Sequence, residues 1–247
     1  VADNHLGGID RISFRYKYKN SELIAEKKHE HCTSNTAITD SISEYNYFDH
    51  AGRVRYTTLR INNDITQTLA VMTYDEMGQM VQKNLGSLGL KPVKLNYKYN
   101  IRGWLTQINN PDNVCSSLFG LRLSYVSGDI DVYYNGNIGM MEWSSSCNIK
   151  GLYYFDYDKL NRLSSARYCE YQSGQYYTPG ENKYSESFTY DANGNIRNVF
   201  RRGALNDGTG LYGLIDKLSY AYFNSGRSNR LYAVGDAAAD VMFRGDF

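Results

Sequence analysis

The segment Ser187-Phe188-Thr189-Tyr190-Asp191-Ala192-Asn193-Gly194-Asn195-Ile196 decides the fold. Before Asp191 the residues alternate polar and apolar, as in a half-buried strand, and Ile196, Asn198 and Phe200 resume the alternation afterwards. Between the two runs, Asp191 can accept from backbone N–H groups about two residues on, while Asn193 and Gly194 tolerate positive φ. The reading is strand, four-residue turn, strand: a β-hairpin.

The same pattern recurs along the chain. Phe48-Asp49-His50-Ala51-Gly52-Arg53-Val54, Tyr74-Asp75-Glu76-Met77-Gly78-Gln79-Met80, Tyr99-Asn100-Ile101-Arg102-Gly103-Trp104-Leu105 and Tyr157-Asp158-Lys159-Leu160-Asn161-Arg162-Leu163 repeat it. The turn residues are thus Asp49 and Gly52, Asp75 and Gly78, Asn100 and Gly103, Asp158 and Asn161, and Asp191 and Gly194. Two degenerate copies are read at Tyr134-Asn135-Gly136-Asn137-Ile138 and at Tyr222-Phe223-Asn224-Ser225-Gly226-Arg227. First residues at 48, 74, 99, 134, 157, 190 and 222 lie 26, 25, 35, 23, 33 and 32 apart. A helical solenoid repeat must keep its length to stack, whereas a hairpin can lengthen its far turn, so uneven spacing favours hairpins.

These copies resemble the RHS/YD-repeat family, which includes polymorphic bacterial toxins, subunits of insecticidal toxin complexes and teneurins. The resemblance covers roughly residues 45–232. It implies antiparallel hairpins laid side by side in one long sheet that curls into a hollow shell. It also implies a larger secreted or surface bacterial protein, with further repeats and a C-terminal cargo as partners. The family's closing core segment, with its Tyr-Asp-Pro signature and self-cleaving Asp residues, has no counterpart here, so autoproteolysis is not carried over. Loss of the recurring Arg at Gln79 and Trp104 marks divergent copies.

Composition agrees with an all-β fold of little helix. The 247 residues include 24 Tyr and 9 Phe but 3 Pro, and aromatics suit pleated, half-buried surfaces. The best helical candidate, Ser21 to Glu30, is short and charged. With 27 basic and 26 acidic residues interspersed, no field draws the chain to nucleic acid. Mean hydropathy is −0.55 and no run of about 18 apolar residues occurs, so no helix spans a membrane and a soluble chain is expected. One domain is expected, with residues 1–45 as one or two divergent strands and a long polar loop, 46–232 as about seven repeats and 233–247 as a truncated next repeat, Val241-Met242-Phe243 opening its strand. Seven hairpins supply roughly 14 strands, too many for a flat sheet. Exposed end strands would favour edge-to-edge self-association.

Candidate sites are few. His29-Glu30-His31-Cys32 has metal-ligand residue types, and in an extended chain His29 and His31 share a face. No second pair completes a tetrahedral site, which leaves a polar loop as the simpler reading and no metal or cofactor is expected. Asp129 with Asp131, or Asp156 with Asp158, have the composition of a glycosidase pair, but Asp158 already serves a turn. No nucleophile elbow, phosphate loop or zinc-protease helix appears, and no enzyme is expected. The four cysteines, Cys32, Cys115, Cys147 and Cys169, permit but do not require disulfides. Trp104, Tyr134, Trp143, Tyr154 and Tyr177 are the candidate ligand-stacking rings, against sheet packing as the alternative use. The leading expectation is a non-enzymatic shell or scaffold for encapsulation or adhesion; the alternative is a carbohydrate-binding module that grips a glycan or cell-surface protein.

Overall fold

A computed structural model describes residues 2–3, 8–19, 21–33, 38–62, 64–86, 93–113, 118–127, 131–145, 149–178, 183–204, 211–224 and 226–238. Among them every paired strand is antiparallel and there is no helix. The chain divides into two compact units, Val1–Tyr99 and Asn100–Phe247.

The first unit holds β1 (Ala2–Asp3), β2 (Ile9–Tyr16), β3 (Ile24–Cys32), β4 (Ile38–Phe48), β5 (Val54–Ile61), β6 (Gln67–Tyr74), β7 (Met80–Leu85) and β8 (Val93–Tyr99). They pair strictly in chain order. The second unit holds β9 (Leu105–Ile108), β10 (Phe119–Ser124), β11 (Val126–Ser127), β12 (Asp131–Val132), β13 (Met140–Ser145), β14 (Ile149–Tyr157) and β15 (Leu163–Gln172). It continues with β16 (Gln175–Tyr177), β17 (Glu186–Tyr190), β18 (Ile196–Ala204), β19 (Tyr212–Tyr222) and β20 (Leu231–Asp236). Here too the ladder follows the chain, with two departures: β11 and β12 form a ribbon of their own, and β15 forks to pair with both β16 and β17.

The charged stretch Glu26 to Glu30 is neither loop nor helix but the middle of β3. Ion pairs make this tolerable: from β2, Arg15 Nε meets Glu26 at 2.9 Å and Arg11 reaches the buried Glu30 at 3.7 Å, while Lys28 on β3 itself reaches Glu30 at 2.5 Å. The strand count also exceeds the fourteen expected, because the N-terminal region and the far-end excursions fold as strands as well. Val241-Met242-Phe243 lies outside the described residues.

Side chains below a tenth exposed are scattered through the strands and are as often polar as apolar. A single-layer sheet buries little on either face, so the stabilising contacts must run along the sheet, from hairpin to hairpin.

Candidate functional site

The recurring turn is one hydrogen-bonded device. At Asp191 the backbone N–H donates to Asn195 O at 2.9 Å, Gly194 N–H donates back to Asp191 O at 3.1 Å, and Oδ1 accepts from Asn193 and Asn195 N–H at 2.9 and 2.8 Å. Asp49, Asn100 and Asp158 repeat all four bonds within a few tenths of an ångström, and Asp75 repeats three. The third turn residue takes positive φ each time: Gly52 79°, Gly78 83°, Gly103 78°, Asn161 61° and Gly194 88°. Asparagine at 161 fits because it visits this region more readily than other side chains. The carboxylates of Asp49 and Asp158 are held below their ordinary range, first by the backbone N–H of Arg53 and of Arg162 and then by those guanidinium groups. For Asp191 the largest cause is the Asn195 side chain, which stands where the other two copies have Arg.

A second device joins successive copies. Tyr74 Oη donates to Val54 O at 2.8 Å, Tyr99 to Met80 O at 2.9 Å, Tyr157 to Ile138 O at 3.0 Å, Tyr190 to Leu163 O at 2.7 Å and Tyr222 to Ile196 O at 2.9 Å. Each aromatic that ends a strand thus reaches the aliphatic residue that reopens the ladder after the previous turn. Burial raises the pKa of each of these hydroxyls. In two of these copies the residue before that aliphatic, in turn, covers the next copy's ring. Arg53 lies 4.6 Å over Tyr74 and Arg162 4.6 Å over Tyr190, both cation–π contacts.

This geometry corrects the copy read at Tyr134. The hydroxyl that reaches Leu105 O, at 2.8 Å, belongs to Tyr125, and Trp104 packs on the Tyr125 ring at 4.9 Å in place of the usual Arg. Tyr134 is 73% exposed, just beyond the base of an excursion that contains β11 and β12 and is closed by Tyr133 N–H on Tyr125 O at 2.8 Å. The local match at Asn135 is a real turn, with Asn137 N–H on Asn135 Oδ1 at 3.0 Å, but it is not the repeat's turn. From the same excursion Tyr133 returns to pack edge-on against Tyr157 at 5.1 Å, the place Arg takes elsewhere.

A further copy lies at Tyr16, where the sequence reads as a strand without the turn. Lys17 N–H donates to Leu23 O at 2.8 Å, the register shifts at Arg15/Tyr16 as it does at the other turns, and Lys17 stands 5.2 Å over Phe48. Phe48 has no hydroxyl, and Asn46 Nδ2 serves Ile24 O instead at 3.2 Å. First residues at 16, 48, 74, 99, 125, 157, 190 and 222 are spaced 32, 26, 25, 26, 32, 33 and 32 apart, more even than the sequence reading had them.

The candidate stacking rings do not assemble. Trp143 and Tyr177 fall on one face of the second unit, through the row Trp143, Gly151, Glu170, Tyr177, whereas Tyr154 is on the opposite face beneath Arg167. Trp104 is engaged with Tyr125 and Arg102, and Tyr177 Oη donates to Glu170 at 2.5 Å. Rings do gather elsewhere: Phe155, Tyr153, Tyr168, Tyr184 and Tyr212 form a chain with centroids 5.2 to 6.0 Å apart, mostly tilted or edge-on. Such packing stabilises a sheet face but offers no flat platform.

His29 and His31 do share a face of β3, with Glu30 and Cys32 buried on the other; His31 Nδ1 is 2.8 Å from Asp10 Oδ1. Among the described residues no group of three His, Cys, Asp or Glu side chains is placed to hold a metal. Asp156 accepts from Ser165 Oγ at 2.6 Å while Asp158 is taken up by its turn. Asp129, Cys115 and Cys147 lie outside the described residues, as does the side chain of Asp131; Cys32 and Cys169 are free thiols, both buried.

Comparison with known proteins gives a fold. No family model and no curated protein matches the sequence. Among solved structures, the chain is similar to one in the crystal structure of TcdB2-TccC3-Cdc42, with a TM-score of 0.60 and 12% identity over 94% of this chain and 12% of that one. It is similar to one in TcdB2-TccC3-TEV, with a TM-score of 0.57 and 13% identity over 87% and 11%. The Photorhabdus luminescens Tc holotoxin pore carrying TccC3-D651A gives a TM-score of 0.51 and 17% identity over 90% and 11%. The chain therefore spans about an eighth or less of the length of these toxin-complex chains, and shares with them a hairpin array.

Proposed function

We propose that this chain is a length of shell wall: a non-enzymatic β scaffold belonging to a larger secreted or surface bacterial RHS/YD-repeat protein, which encloses a cargo or presents an adhesive surface. The observation that carries this reading is the hydroxyl-to-carbonyl bond from each hairpin to the one before it. A bond of that kind recurs at every step but the one at Phe48, where the Asn46 amide stands in, so it extends a wall without setting a length, as stacking interfaces do in other repeat proteins. The likeness to TcdB2-TccC3 supports it, because this chain matches only about an eighth or less of those much longer chains. The bulges at Phe48, Tyr74, Tyr157, Tyr190 and Tyr222 support the curl a wall needs, since bulges bend and twist the strand that carries them.

Cryo-electron microscopy of the full-length gene product tests the proposal. The expected image is one continuous β wall around an internal space, with residues 16 to 236 as part of it. A product in which this segment stands as an isolated unit, with no further hairpins paired to either end and no enclosed volume, overturns it.

A further inference from the structure

The turns of the second unit carry a feature that the shell reading does not use. Bonds from turn to turn join them into a continuous rim. Arg102 Nη1 donates to Tyr134 O, Asn135 Nδ2 donates to Asn161 Oδ1 at 2.7 Å, Arg162 Nη1 donates to Asp191 O at 3.0 Å, and Asn195 Nδ2 donates to Asn229 Oδ1 at 3.1 Å. Gly136 lies against Trp104, where an added Cβ would come 3.2 Å from the ring, so the second turn is seated on the first. Neighbouring turns of the rim are two strand spacings apart, about 10 Å.

Three consecutive turns of this rim hold a large apolar residue out into solvent. Ile101 is fully exposed, Tyr134 nearly three-quarters and Leu160 two-thirds. Apolar side chains scattered singly are ordinary on a protein surface, but three on turns fixed to one another make a patch. Charge along the rim is one-sided. The acidic residues of these turns are Asp158 and Asp191, and both carboxylates point back into their own hairpins, accepting from Arg162 and Asn195. Arg102, Lys159 and Arg227 are exposed and form no ion pair among the described residues. Arg102 keeps its charge while it donates to Tyr134 O and lies over Trp104.

We propose that this rim docks on an anionic lipid surface. Ile101 and Leu160 enter the boundary between headgroups and acyl chains, Tyr134 lies at headgroup level, and Arg102, Lys159 and Arg227 sit among the lipid phosphates. Apolar tips set between cations are the combination an interfacial site needs, the tips gaining from leaving water and the cations from the surface potential. Tyrosine suits the boundary because its ring packs while its hydroxyl stays wet. A fluid headgroup layer closes round separate projections, whereas a protein partner needs a matching socket for each one. The docking does not depend on a closed wall.

Sedimentation of the 247-residue chain with unilamellar vesicles tests the site, with phosphatidylcholine alone set against equal parts of phosphatidylcholine and phosphatidylglycerol. The chain should pellet with the anionic vesicles, far less with the neutral ones, and less with both as salt is raised. Ile101→Asp with Leu160→Asp should weaken binding at least tenfold, and Lys159→Glu with Arg227→Glu should remove the preference for anionic vesicles. Ile149→Ser, which changes an exposed apolar residue at the other end of β14, should alter nothing. Emission from Leu160→Trp, taken over that of the parent, should move to the blue on anionic vesicles. Circular dichroism of each variant keeps loss of docking distinct from loss of the sheet. Three outcomes overturn the proposal: no pelleting with either vesicle, pelleting that survives Ile101→Asp with Leu160→Asp in a folded chain, or dispersal by those substitutions of an oligomer formed without lipid, which makes the rim a protein interface.

Discussion

Replacing Tyr125 by Phe removes one hydroxyl and leaves the ring on Trp104, so it isolates the bond to Leu105 O. A net hydrogen bond is worth about 1 kcal/mol, and the half-buried carbonyl left behind can be reached in part by water, so a loss of about 1 kcal/mol is expected. That corresponds to roughly a fivefold rise in local opening. Tyr125→Ala also deletes the ring packed on Trp104 and should cost about 3 kcal/mol, less than a fully buried aromatic would. Tyr134→Phe, by contrast, changes a side chain that is 73% exposed and should fall within about 0.5 kcal/mol of the parent. Hydrogen exchange read by mass spectrometry on peptides covering residues 105–108 and 119–124 measures local opening without requiring two-state unfolding of the whole chain. If Tyr134→Phe loosens those peptides and Tyr125→Phe does not, the assignment of the copy to Tyr125 is wrong, and the inter-hairpin bond is not what joins the strands.

Gly78→Ala forces an L side chain to φ 83° and puts its Cβ 3.3 Å from Arg53 Nη1, so it should lose about 1–2 kcal/mol for the left-handed backbone and disturb the Arg53–Tyr74 stack as well; Gly174→Ala, at φ 88° with open space around it, should lose the backbone part alone, and equal melting shifts would show that the Arg53 contact is idle. Because the folded pKa values of Asp49, Asp158 and Asp191 are depressed, their contribution is present above the unfolded value near 3.9 and is lost as pH falls through the folded ones, so urea midpoints should drop below about pH 4; Asp158→Asn, which keeps the turn acceptor as Asn100 does, should lessen that drop. Tyr153 has the opposite sign: burial pushes its pKa up to about 12, so its stabilising share is intact below the unfolded value near 10 and is lost as pH rises towards 12. Absorbance at alkaline pH should show this tyrosine ionising late, together with loss of the fold, and its titration near pH 10 in the native state would contradict the burial argument.

The turns were legible in the sequence because their chemistry is local. Asp or Asn followed by Gly or Asn three residues on is what a positive φ and two orphan N–H groups require, and the structure has the bend at all five full copies. The link between hairpins was not legible, because its two ends lie 19 to 27 residues apart and the acceptor is a backbone carbonyl, which leaves no mark on the sequence. Tyr125 was hidden for the same reason: its turn is replaced by an excursion, so none of the turn residues follow it. Tyr134 was favoured because its neighbours do carry turn chemistry, although for a different turn. At Tyr16 the loop to Ile24 is two residues longer than the standard bend, which removed the glycine signal while the closing bond from Lys17 to Leu23 O persisted.

What the copies preserve is therefore a relation between neighbours more than a fixed string of residues. Arg53, Trp104, Tyr133 and Arg162 differ in charge and in chain position, yet each covers the ring that bonds the hairpin before it. A cation over a ring and a ring against a ring have comparable worth, about 0.5–1.5 kcal/mol, so either can fill the place without upsetting the array. With so few side chains fully buried, a hairpin of this sheet has little to hold it apart from its two neighbours. Stability then accumulates step by step along each unit, and damage to one link should loosen the adjoining hairpins first, with the effect fading over the next copies. A perturbation at Tyr190, for example, should be felt at Leu163 and Asp191 before it is felt at Ile138, because the covering Arg162 touches both the Tyr190 ring and Asp191 O.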